Sequence, residues 1–100
     1  MTKEQLSKAI NALKNISIDF KIDSYIFQGK CFVRALVLNN PDDLSKVKSI
    51  LDGDILKNLK FKKSKEWYLG ESKEVIYMQI KKKIEISIPE IEEFQVNNYA

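Results

Sequence analysis

A chain of 100 residues with 44% hydrophobic and 31% charged side chains has the length of one domain and the composition of an ordinary globular one. No apolar run reaches the ~18 residues of a membrane span, and the single cysteine, Cys31, excludes an internal disulfide. The net charge of +3 is mild, and the lack of histidine removes the commonest general base and the commonest metal ligand.

Taken in chain order, Thr2 followed by Gln5 has the spacing of a capping box, and Leu6, Ala9, Ile10 and Leu13 recur at helical spacing. These predict a helix over 3–14, with no signal-peptide core in it. Strict alternation from Ile16 to Asp23 predicts a half-buried strand continuing towards Phe27, with a turn or bulge at Asp23–Ser24 and the chain reversing at Gln28–Gly29–Lys30. Cys31 to Leu38 is apolar at seven of eight positions, the mark of a central strand covered on both faces. Asn40–Pro41–Asp42–Asp43 reads as a cap, a first helical position and two acids at the positive end of a helix dipole. The helix is expected to run from Pro41 to Leu51 and to end at Gly53 as its C′ residue.

Strands are expected from Leu59 and over Trp67–Leu69, with a turn at 70–73. From Glu74 to Ile88 the alternate residues Ile76, Met78, Ile80, Ile84, Ile86 and Ile88 form an apolar face broken only by Lys82, so a bulge is expected there. Pro89 closes this strand, and a helical turn is expected over 89–94.

The result is an α+β domain, order α-β-β-α-β-β. It is two-layered, with a mainly antiparallel sheet of four or more strands, two helices on one face and a long C-terminal strand. It occupies 1–96, with 97–100 as a loose tail. The halves 2–39 and 40–88 align Leu6–Ser7–Lys8 with Leu44–Ser45–Lys46, a match that any two capped amphipathic helices would give.

Catalytic chemistry finds little footing. Cys31 lies in an apolar run and reads as a small buried hydrophobe. The three glycines are widely spaced and cradle no phosphate. Asp42/Asp43 are explained by capping, Asp52/Asp54 flank a helix end, and Glu90, Glu92 and Glu93 form an acidic turn. No enzyme activity, cofactor or metal is expected.

The charge is unevenly spread. Residues 59–83 hold eight lysines and three glutamates, and 84–100 hold four glutamates and no base. Lys60, Lys62, Lys63, Lys65, Lys81 and Lys83, with Trp67, Tyr68 and Tyr77 among them, are the candidate partner-binding residues. They read either as a solvated face or as a surface for an acidic partner. Arg34, read on one face with Phe32, Leu36 and Leu38, must be paired with Asp19 or Asp23 or anchor an interface. The expectation is a small cytoplasmic, non-catalytic protein that binds a protein partner, of the inhibitor, antitoxin, immunity or phage-encoded blocker type. A nucleic-acid-binding module using 59–83 is the alternative, weakened by sixteen lysines to one arginine. No membrane partner is expected. The long strand 74–88 outruns two short helices, so part of it is expected to project and to pair with another chain, a second copy included.

Overall fold

The computed structural model describes residues 1–90, the side chain of Tyr68 apart. Helix α1, Lys3–Asn15, carries the capping box in full: the Gln5 amide donates to the Thr2 hydroxyl, and the Thr2 amide donates to the Gln5 side chain. Strand β1 is Phe20–Phe27 and strand β2 is Lys30–Leu38. A 3-10 turn at Pro41–Asp43 leads into α2, Leu44–Ile50, and the short α3, Gly53–Leu56, follows. Strand β3, Leu59–Tyr68, and strand β4, Glu71–Ile86, follow. The expected α+β class holds.

The four strands form one antiparallel sheet in the order β1-β2-β4-β3. Leu6, Ala9, Ile10 and Leu13 of α1, Val47 of α2 and Ile55 of α3 share one core with alternate strand residues. Those are Phe20, Ile22, Val33, Leu36, Leu38, Ile76, Met78, Ile84 and Ile86. Each such buried aliphatic or aromatic side chain contributes ~1.5–3 kcal/mol of transfer free energy. The opposite side of the sheet, which carries Lys21, Asp23, Val37, Tyr77 and Gln79, is the open face.

Four sequence expectations change. The first strand begins at Phe20, because Ser17 takes a left-handed φ of 55° and breaks the extended run while Ile18 still inserts into the core. Gly53 does not close α2. Leu51 is already extended at ψ 138°, and Gly53 opens α3 behind Asp52. Trp67–Tyr68 is the end of one continuous strand, β3, and the turn residues are Leu69 and Gly70. Finally, the 84–88 end of the long strand does not project. Ile84 and Ile86 pair with Val33 and Cys31 and are buried, and only Ile88, 50% exposed, remains outside. The projecting part is the other end, where 71–75 pair with β3 alone, beyond the last β2 residue. The helical turn expected over 89–94 is seen over 88–90; its remainder and the expected 97–100 tail lie outside the described residues.

Lys82 behaves as expected. Between the pairs Val33↔Ile84 and Ala35↔Gln79, β4 spends four residues, 80–83, against Arg34 alone, and Lys82 is exposed in this excursion.

Candidate interaction surface

The open face is set by one inserted residue. In the β1–β2 ladder Asp23 pairs with Ala35 and Ser24 with Val33, so Arg34 is extra. A β-bulge of this kind puts two consecutive residues opposite one and shifts the alternation. Phe32, Arg34, Ala35 and Val37 therefore share the open face, while Leu36 and Leu38 point into the core. The expected grouping of Arg34 with Leu36 and Leu38 is corrected by this shift. Its expected partner is found: Arg34 Nε lies 3.0 Å from Asp23 Oδ2. The hydrogen bond to Asp23, and then its charge, raise the guanidinium pKa above its ordinary value.

Around this pair lies an open cleft of about 450 Å³ lined by Asp23, Tyr25, Arg34, Tyr77, Gln79, Lys81 and Lys83, with Val33, Ala35 and Ile80 beneath them. Tyr25 is its aromatic wall. Phe32 stacks on Tyr25 with centroids 5.7 Å apart, Lys83 Nζ stands 5.4 Å from the Tyr25 centroid and Arg34 Cζ 5.8 Å. The Tyr25 hydroxyl is buried without a hydrogen-bond partner among the described residues.

The register sorts the sequence-predicted residues by face. Lys60 pairs with Gln79 and Lys62 with Tyr77, which places both lysines on the open face with Arg34, Tyr77, Lys81 and Lys83. Lys63, Lys65 and Trp67 pair with Ile76, Glu74 and Ser72 and belong to the opposite side. Tyr68 closes β3 opposite Glu71. The six lysines expected to lie together are thus split between two faces. Trp67 is 77% exposed near the tip of the projecting hairpin, and Leu69 in the turn is 86% exposed.

The open face also shows how strongly the sheet curls. Lys21 on β1 and Glu66 on β3 occupy opposite edges, about 14 Å apart in a flat four-stranded sheet, yet Nζ and Oε2 are 3.3 Å apart. Val37 and Val75 are buried on this face. Lys60, Lys62 and Lys81 make no ion pair among the described residues, and Lys83 has only the Tyr25 ring.

Sequence reasoning missed Tyr25 and Gln79. Carrying the β1 alternation on from Lys21 and Asp23 would have found Tyr25. Gln79 could be placed only once the β2–β4 register was known. Among the described residues no group of three or more potential ligands is placed to hold a metal ion, and no helix is long and apolar enough to cross a membrane. Comparison with family models, curated proteins and solved structures finds no match for this chain.

Proposed function

We propose that this chain is a small, non-catalytic, intracellular interaction protein that binds a larger protein through the open face of its sheet and so inhibits or regulates it. The observation that carries this reading is the charge imbalance on that face. Lys21 and Arg34 are matched by Glu66 and Asp23, whereas Lys60, Lys62, Lys81 and Lys83 have no carboxylate partner among the described residues. Excess charge of one sign on a concave surface steers an oppositely charged partner and fixes its orientation. The half-buried rings of Tyr25 and Tyr77 between these cations are of the residue type that anchors protein interfaces.

A second reading, binding of single-stranded nucleic acid, is favoured by Trp67, whose exposed ring stands on the same strand as four lysines. The protein-binding reading is preferred because the Tyr25 ring is already crowded, with Phe32 stacked on it and Lys83 and Arg34 over it, which leaves it a poor platform for a base. Capture with the intact chain as bait, followed by mass spectrometry, should yield a stoichiometric protein partner. Oligonucleotides should not be retained at about 0.15 M salt, where exposed charges are screened beyond ~8 Å. Tight oligonucleotide binding with a steep salt dependence would replace the first reading with the second. Light scattering settles whether the partner includes a second copy. Such a homodimer through the long strand would have to use the ends of β4, because β2 and β3 flank it over 76–79.

A further inference from the structure

We infer that the cleft beside Arg34 is a carboxylate-recognition site that receives an acidic side chain of the protein partner; this rests on reading the open face as a protein-binding surface. Three cations line the cleft, Arg34, Lys81 and Lys83, against one acid, Asp23. Asp23 lies 3.0 Å from the Nε of Arg34, and the arginine side chain is 57% exposed, so its two terminal nitrogens can be approached from solvent. They form the forked end that suits a carboxylate. Lys83 and Arg34 both lie over the Tyr25 ring, and Asp23 pairs with only one of these two cations.

The guest is a carboxylate of a protein and not a nucleotide for two reasons. A nucleotide brings a base, and Phe32 and Lys83 already crowd the Tyr25 ring on which it would stack. The cleft also contains an amide, Gln79, and a second phenol, Tyr77, which suit the polar backbone around an acidic side chain.

The chain has one arginine, so the Arg34 Nε–Hε resonance is unique in a nitrogen-15 spectrum. Three probes are titrated separately: a short capped glutamate peptide, inorganic phosphate and a thymidine oligonucleotide. The peptide should shift the Arg34 signal saturably. Lys83→Gln, an exposed position, should weaken that response about tenfold or more. The charge-matched pair Lys63→Gln/Lys65→Gln on the opposite side should change it by less than about twofold. Arg34→Met should abolish peptide binding as followed through the Tyr25 ring protons. No saturable shift, equal weakening by both lysine changes, or tighter binding of phosphate or oligonucleotide at the same signal would overturn the assignment. A captured protein that binds Lys83→Gln as well as the unaltered chain would remove the cleft assignment and leave the protein-binding reading intact. A normal peptide response with no captured protein would do the reverse.

Discussion

Hairpin β1–β2 turns on Gln28–Gly29 and hairpin β3–β4 on Leu69–Gly70. Both turns use two residues of positive φ, at 51° and 76° in the first and 52° and 80° in the second. Such turns match the twist of the flanking strands. Beyond the turns the two hairpins diverge. In the first, β2 has β1 on one side and β4 on the other, and its inward residues are buried under the helices. In the second, the pairs from Ser64↔Val75 to Tyr68↔Glu71 extend past the end of β2, and a two-stranded ribbon has little independent stability. The lesson is a division of labour along the sheet. Stability resides where strands are flanked on both sides, and the groups free to meet a partner lie at the bulge and on the projecting ribbon.

The comparison is broken most forcefully by truncating one residue in each hairpin. Phe20 is fully buried, and Phe20→Ala should cost ~3–5 kcal/mol in denaturant unfolding. Trp67→Ala should stay within ~0.5 kcal/mol, as exposed substitutions do. Comparable losses at the two sites would erase the distinction. A smaller effect sharpens it: Leu69 is a bulky residue held at φ 52°, so Leu69→Asn should stabilise by ~0.5–1 kcal/mol, seen as a shifted midpoint with unchanged slope. A loss instead would mean that the Leu69 side chain packs against something.

Asp23→Asn removes one member of a pair whose arginine is more than half exposed. Screening limits the cost to ~0.5 kcal/mol, measurable as a loss that shrinks as salt is added. The smallest effect is at Glu90. The Lys3 ammonium, 2.7 Å away, hydrogen-bonds Glu90 and holds its pKa below the usual value, helped by Ser87. The lowered pKa belongs to the folded state, so the contribution is complete above the ordinary carboxylate pKa of about 4.3. It is lost as pH falls through the depressed value. Glu90→Gln should therefore lower stability slightly at neutral pH, leave it unchanged below the depressed pKa, and so flatten that part of the acid unfolding curve.

Much of the scaffold was legible because its signals are local. Thr2 with Gln5 and Asn40 before Pro41 fix helix starts through hydrogen bonds within three residues. The lysine interrupting the isoleucine face marked the excursion in β4. The candidate site was less legible because it depends on register. One extra residue, Arg34, exchanges the two faces of half a strand; the break expected at Asp23–Ser24 falls where the register shifts, but it does not say that the extra residue is on the partner strand. The run 31–38 looked apolar on both faces because Val37 and Ala35 are buried on the open face by the curl of the sheet, a long-range property. Ser17 could not be distinguished from strand because the residues around it keep the alternation while its φ breaks the chain direction. The lysines of 59–65 alternate between faces, so their clustering in sequence overstated their clustering in space.

The most direct measurement is the affinity of a captured partner for two charge-matched double variants, Lys81→Gln/Lys83→Gln on the open face and Lys63→Gln/Lys65→Gln on the opposite one. Both remove the same net charge from exposed positions. If the open face is the binding surface, the first should weaken the complex more than about tenfold and the second less than about twofold. Equal losses, or a larger loss from the second, would contradict it.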